Sequence, residues 1–265
     1  MQANKPRTVL VTGAAKRLGR EIALHFGKAG WNVVVHYGHS ATEAEHTAKE
    51  ICNLGSSAIA LQANLMDESQ VKSLFKKGVN HFGRIDCLIN SAAIFEYDRP
   101  SQSNQVVSQK VLIEHIHTNL TAPVLLAQEM YQHIKTFEKS NDDFIPVTIQ
   151  LLDQKLINLN PDYFSYTLSK SALLTATEMM ALDFAPYLRS VGLAPGITLP
   201  SGDQTQAQFE TAHRITPMGY SSSPSDIAHA ALFIANARAI TGTTLYVDGG
   251  QHLLSSDRDV MFKIK

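Results

Sequence analysis

Tyr166 and Lys170 stand four residues apart in Asp162-Tyr-Phe-Ser-Tyr-Thr-Leu-Ser-Lys170. On a helix that spacing puts a phenol and an ammonium on one face, where the positive neighbour would lower the phenol's pKa and make Tyr166 a proton donor near neutral pH. Lys170 could also hold a hydroxyl-bearing cofactor. Asp153 lies 13 residues before Tyr166, at the end of an apolar run. Asn119 stands amid apolar neighbours, and a buried carboxamide needs partners, so it either satisfies a helix irregularity or holds a water near the site. Alone, Tyr-x-x-x-Lys reads as a packed tyrosine and a solvated lysine. Its company changes that reading.

Those side chains need elements to position them. Asn160-Pro161 reads as a cap and first turn for the helix carrying Tyr166, followed by a long apolar run from Ala172 to Ala185. Thr8-Val-Leu-Val-Thr12 reads as a buried strand, and Gly13-Ala-Ala-Lys-Arg-Leu-Gly19 as a tight turn into a helix from about Arg20 to Lys28. Such a turn offers a phosphate free backbone N–H groups and a positive dipole end. Gly13, Leu18 and Gly19 would form the cradle, and Lys16 and Arg17 would add charge-assisted contacts that bare glycines cannot. The full G-x-G-x-x-G fingerprint is lacking.

Trp31 to His36 is a second strand, ending where a dinucleotide fold reads the adenosine ribose. His36-Tyr-Gly-His39-Ser40 has no acid there to repel a 2′-phosphate. With Lys16 and Arg17, that favours NADP(H). The alternation continues with helix 41–54, strand 58–63, helix 68–82, strand 85–90, a helical region over roughly 105–137 and strand 144–152. Beyond the Tyr166 helix come strand 189–194, a last helix to about 236 and a closing strand at 243–247. Alternating units of this length predict right-handed crossovers and an α/β, Rossmann-type doubly wound fold. It would be a seven-stranded parallel sheet with helices on both faces, one domain over residues 1–265.

At the strand ends, Asn64 and Leu65 would meet the adenine. Asn90-Ser91-Ala92 would let the backbone approach a flat cofactor, with Pro195-Gly196-Ile197 after the sixth strand. Phe95 could stack a planar substrate or be ordinary core. Residues 199–223 lack a clear pattern and could form a lid over the substrate.

Composition narrows the class. Hydrophobic residues make up 44% and charged residues 18%, which suits a well-buried globular protein. Lys plus Arg number 23 against 24 Asp plus Glu, so charge points to neither nucleic acid nor a membrane. Cys52 and Cys87, the two cysteines, are too few for a disulfide framework or a four-cysteine metal site, and no metal is expected. The N-terminus goes straight into a strand, which leads to the expectation of a cytoplasmic protein.

Thr12-Gly13…Gly19, Asn90-x-Ala92, Asn119, Tyr166-x-x-x-Lys170, Pro195-Gly196 and Val247-Asp-Gly-Gly250, in this order, resemble the short-chain dehydrogenases/reductases over nearly the whole chain. Within that family the likeness is to pteridine reductases and bacterial dihydromonapterin/dihydrofolate reductases. Three residues carry it: Arg17 where the wider family has its middle glycine, Asp153 where it has its catalytic serine, and the aromatic Phe95.

The resemblance implies NADPH lying across the strand ends and a pterin or folate between the nicotinamide and Phe95, with Tyr163 as a pocket residue. Hydride would pass to the carbon of a C=N bond. Tyr166, Lys170 and Asp153 would deliver the proton, with Asn119 completing the catalytic set. Lys170 would also hold the nicotinamide ribose, and Arg17 would reach both pterin and cofactor phosphates. A homotetramer is implied as well. His39 stands where arginine is more usual and Asn64 where aspartate is, while Ala93 and Ile94 replace serines of the eukaryotic enzymes. Tyr163 precedes Lys170 by seven, the spacing of the enoyl-thioester reductases. Two other readings stay open: a carbonyl or sugar reductase of the same family, and a non-catalytic nucleotide-binding sensor or scaffold.

Overall fold

The computed structural model describes residues 6–136, 144–200 and 204–263. Seven parallel strands form one sheet in the order β3-β2-β1-β4-β5-β6-β7. They are β1 (Thr8–Val11), β2 (Asn32–Tyr37), β3 (Ala58–Gln62), β4 (Cys87–Asn90), β5 (Val147–Leu151), β6 (Arg189–Pro195) and β7 (Thr244–Val247). The helices are α1 (Arg17–Lys28), α2 (Ala41–Asn53), α3 (Glu68–Phe82), α4 (Gln109–Ile116), α5 (Ala122–Ile134), α6 (Phe164–Asp183), α7 (Gln206–Arg214) and α8 (Pro224–Asn236). The expected doubly wound α/β fold is the observed one.

Alternation along the strands splits the core into two layers. Val9, Val11, Val33 and Val35 pack with Phe26 of α1 and Ile227 and Ile234 of α8. Leu10, Val34 and Leu88 face the other way, onto Leu74 of α3, Leu126 of α5 and Met180 of α6. Each fully buried side chain of this size contributes about 1.5–3 kcal/mol. Strand order reverses between β1 and β4, and their carboxyl ends open a crevice there.

Four local expectations change. Helix α1 begins at Arg17 rather than Arg20. The region from 105 is not one helix: α4 and α5 are separated by a π turn, His117–Thr121, that contains Asn119. Helix α6 begins at Phe164, not at Asn160-Pro161, because Asn160 accepts the Asp162 amide in a turn of its own and Tyr163 takes φ 53°. Asp98, from the loop after β4, accepts both the amide and the hydroxyl of Ser165 and so caps α6 from afar. Within the expected lid lies α7, started by a capping box of Thr205 and Gln208. Residues 201–203 of that stretch and Phe137 lie outside the described residues. Among the described residues, no helix is long and apolar enough to cross a membrane.

Candidate active site

The crevice is fastened at its base. The Thr12 hydroxyl accepts the amides of Ser91 and Ala92, each at 3.0 Å, tying the turn after β1 to that after β4. Gly13 has φ 66°, and a Cβ there would come within 2.9 Å of Ala92 Cα. Glycine is required on both counts. Arg17 also has positive φ, 54°, and its Nη2 donates to the Pro200 carbonyl at 2.7 Å, crossing the mouth of the crevice. No side chain caps the first amides of α1, which leaves them free for a phosphate.

His36 needs correction. Expected against the cofactor, its ring is buried beneath the turn, where Nδ1 accepts the Gly13 amide at 3.1 Å and Nε2 donates to the Ala63 carbonyl at 3.1 Å. Burial lowers its pKa to about 4, so the ring is neutral and braces β1, β2 and β3. Asn90 is likewise turned into the sheet, where Nδ2 donates to Gln150 Oε1 at 2.8 Å. Asn119 is filled by protein partners: its Oδ1 accepts the Ile94 amide at 2.8 Å, and its Nδ2 donates to the Ile94 carbonyl and to Ser169 Oγ, each at 3.0 Å. It stands within the helix irregularity, the π turn, but its carboxamide is engaged by Ile94 and Ser169 and so pins the loop that carries Phe95.

A cavity of about 460 Å³ brings together Gly13, Lys16, Arg17, Leu18, Gly19, Ser91, Ala92, Phe95, Asp153, Tyr166, Lys170, Pro195 and Gly196. An outer chamber of about 400 Å³ shares the wall of Arg17, Phe95, Asp153 and Gly196, and adds Ile197. His39, Ser40, Asn64 and Leu65 line neither. His39 is exposed, Ser40 starts α2, Asn64 accepts the Met66 amide, and Leu65 packs on the core. Lys16 pairs with Glu43 of α2 at 2.6 Å, so an acid unforeseen in the sequence stands beside it.

At the inner end the Tyr166 hydroxyl donates to Asp153 Oδ2 at 3.0 Å. The Lys170 ammonium donates to the Leu151 carbonyl at 2.6 Å and lies 5.9 Å from the centre of the Tyr166 ring. Proximity to Lys170 therefore does not lower the phenol. Burial and the Asp153 carboxylate push Tyr166 well above its ordinary value, while burial raises Asp153 and lowers Lys170 to about 8. Each shift favours a neutral form. The result is a buried Tyr166 that is protonated at neutral pH, with its hydroxyl on Asp153 beside the cavity.

Phe95 sits edge-on to Tyr166, with ring centres 4.7 Å apart, and stacks on Tyr163 at 4.1 Å. Tyr163 is buried, with its hydroxyl 3.3 Å from Met261 Sδ and its burial raising the phenol to about 12. It supports Phe95 from behind. Sequence reasoning missed Thr12, Asp98 and Asp162 as fasteners, and also missed the C-terminal segment 255–263, which walls the outer chamber. Asp98 and Asp162 flank the Phe95 and Tyr166 motifs, but no spacing rule marks them.

A family profile described as Enoyl-(Acyl carrier protein) reductase matches residues 13–252. The 3beta-hydroxysteroid dehydrogenase 1 of Eggerthella lenta is 33% identical over 94% of this chain and 95% of its own. The chain belongs to the short-chain dehydrogenase/reductase family. Glucose 1-dehydrogenase 2 of Bacillus subtilis is 29% identical over 94% of this chain and 96% of its own. Among solved structures, the FolM alternative dihydrofolate reductase 1 of Brucella canis complexed with NADP matches with TM-score 0.86 and 33% identity, covering 95% of this chain and 96% of that one.

As a short-chain dehydrogenase/reductase the protein is an NAD(P)-dependent oxidoreductase. Its cradle fits that cofactor. At Gly19 a Cβ would fall 2.4 Å from the Gly13 carbonyl, so the turn keeps its tight form only with glycine, and uncapped helix amides stand at its end.

Proposed function

We propose that the protein uses NADPH to reduce a dihydropterin, such as dihydromonapterin, dihydrobiopterin or dihydrofolate, to its tetrahydro form. The observation that carries this reading is Asp153 bonded to Tyr166 beside the half-exposed ring of Phe95. A pterin has a flat face to stack and an edge of ring nitrogens to protonate. A stacking platform and a carboxyl group suit it better than the hydroxyl that a carbonyl oxygen would need.

Gly13, Leu18 and Gly19 would hold the pyrophosphate of NADPH, and Ser91 and Ala92 would approach it through their backbone. Lys16, Arg17, Ser40 and His39 would favour its 2′-phosphate, with Asn64 and Leu65 near the adenine. Lys170 and residues 195–197 would hold the nicotinamide end. The bound cofactor supplies hydride to the carbon of a C=N bond. Tyr166 would give its proton to the adjoining ring nitrogen, and a proton from solvent, passing by way of the Asp153 carboxylate bonded to it, would restore the phenol, while Phe95 and Arg17 orient the ring. Asn119 acts by holding the Phe95 loop.

NADPH oxidation followed with dihydromonapterin, dihydrobiopterin, dihydrofolate and a simple ketone side by side tests this. Turnover of the ketone alone would support the second reading, a carbonyl or sugar reductase, which the steroid and glucose dehydrogenases among the relatives favour. A homotetramer would cover Leu168, Met179 and Leu182, which are exposed on α6. Analytical ultracentrifugation tests that, and a monomer would count against it.

A further inference from the structure

Asp162 takes no part in the steps above, yet its side chain is fully buried where four distant segments meet. One carboxylate oxygen accepts from the Tyr97 hydroxyl at 3.2 Å and from Arg99 Nη1 at 3.4 Å. The other accepts from Arg258 Nε and from the Asp259 amide, both at 2.8 Å. The Asp162 carbonyl accepts from Lys155 Nζ at 3.0 Å, and that ammonium also lies 3.7 Å from Asp259. Burial alone would raise the Asp162 carboxyl. Arg258 and the Asp259 amide outweigh it and hold the group below the usual carboxylate range.

The segments gathered on this carboxylate are walls of the outer chamber. Arg258, Asp259, Val260 and Met261 line it from the C-terminal side, and Phe95 stands on the wall it shares with the inner cavity. The next residue, Tyr163, occupies a left-handed backbone position, stacks beneath Phe95 and touches Met261. A tyrosine in that region costs energy and persists only where its surroundings hold it. One carboxylate thus fixes both the C-terminal tail and the start of the chain that supports the platform.

We infer that Asp162 is a positioning residue for substrate: through Arg258 and the Asp259 amide it latches the C-terminal tail onto the Phe95–Tyr163 platform and sets the shape of the outer chamber. This rests on reading that chamber as part of the substrate site, whichever substrate is reduced. Tyr166 and Lys170 line the inner cavity and not the outer chamber, so the latch acts on substrate affinity before it acts on the chemical step.

Arg258 is the side to break, because it is partly exposed; removing the buried Asp162 carboxylate outright would leave Tyr97, Arg99, Arg258 and the Asp259 amide without their common acceptor. Arg258→Met should raise KM for any dihydropterin or ketone turned over by about tenfold or more. It should leave kcat within about twofold and NADPH affinity unchanged, since its contacts are with Asp162 and Phe262 and not with Tyr166, Lys170 or the Gly13–Gly19 turn. Arg258→Lys should recover part of the loss. Asp162→Asn should give the same split, and the double variant should add little, because both break one latch. Amide hydrogen exchange across residues 259–262 should quicken in each variant.

An unchanged KM in both single variants, or a fall in kcat at constant KM, overturns the inference. Unchanged exchange in the tail overturns it whatever the substrate. An enzyme that reduces ketones but no pterin, with KM raised by Arg258→Met, would uphold the latch while ending the pterin reading.

Discussion

Tyr166 and Lys170 are buried and bonded to Asp153 and the Leu151 carbonyl, whereas Lys16 and His39, at the proposed phosphate end of the same crevice, stand in solvent, Lys16 in an ion pair with Glu43. Between them, Gly13 rests on the buried ring of His36. Burial makes the inner groups specific and costly to change, because a side chain removed there leaves partners that nothing else can satisfy. Solvent makes the outer groups adjustable, because exposed charges are screened and can exchange partners. On the proposed reading, chemistry is built into the core while cofactor preference is written on the surface, and substitutions at the two ends should differ in size accordingly.

The largest effect is expected at the inner end. Tyr166→Phe should lower turnover by roughly two to four powers of ten, the range for losing a positioned acid, with NADPH affinity nearly intact. Single-turnover NADPH oxidation measures it, and an undiminished rate would remove Tyr166 from the mechanism.

His36 is next. Its neutral form belongs to the fold, with a pKa near 4 against 6.5 when unfolded. Above pH 6.5 both states are neutral and the group adds no pH dependence. As pH falls from 6.5 toward 4 only the unfolded chain takes up the proton, so stability drops. Below 4 the loss levels off at about 3 kcal/mol. Urea midpoints taken from pH 7 to pH 4.5 should therefore fall less steeply for His36→Asn than for the parent. Parallel curves would show that the ring does not titrate as its burial requires.

Phe95→Ala comes third. Lost stacking should weaken dihydropterin binding by on the order of 1 kcal/mol or more, with little change for NADPH. Equal KM values for pterin in parent and variant would take Phe95 out of the substrate site.

How far this was legible depends on the kind of signal. Strands such as Thr8–Val11 and helices such as Glu68–Phe82 follow periodicity, the Gly13–Gly19 turn and the Tyr166 and Lys170 pair follow short-range spacing, and the role of Asp153 comes from the family resemblance alone. The π turn at Asn119 inserts a backbone irregularity that a 3.6-residue pattern does not register. The start of α6 departs from the local cap signal because Asp98, 67 residues upstream of Ser165, supplies the cap in place of a local residue. His36 reads as a cofactor contact from its position along β2; only the packing of β3 and the Gly13 turn around it shows which way the ring points. The direction of the Tyr166 shift is out of reach of spacing as well, because it comes from burial and from the Asp153 carboxylate that accepts its hydroxyl.

The smallest effect belongs to the outer end. Glu43 holds the Lys16 ammonium at 2.6 Å, and the pair is about half exposed, with relative exposures of 52% and 46%. If Lys16 serves the 2′-phosphate, Glu43 competes with that phosphate for the same cation and repels it as well. Glu43→Gln should then raise kcat/KM for NADPH a few-fold, the scale of an exposed ion pair, and leave NADH nearly unchanged. The gain should shrink as salt is raised from about 0.05 to 0.5 M, because the screening length falls well below the span of the site. A buried contact would keep its size across that range. If the NADPH-to-NADH ratio is the same in parent and variant at low salt, Lys16 does not reach the phosphate, and cofactor preference must come from Arg17, Ser40 and His39.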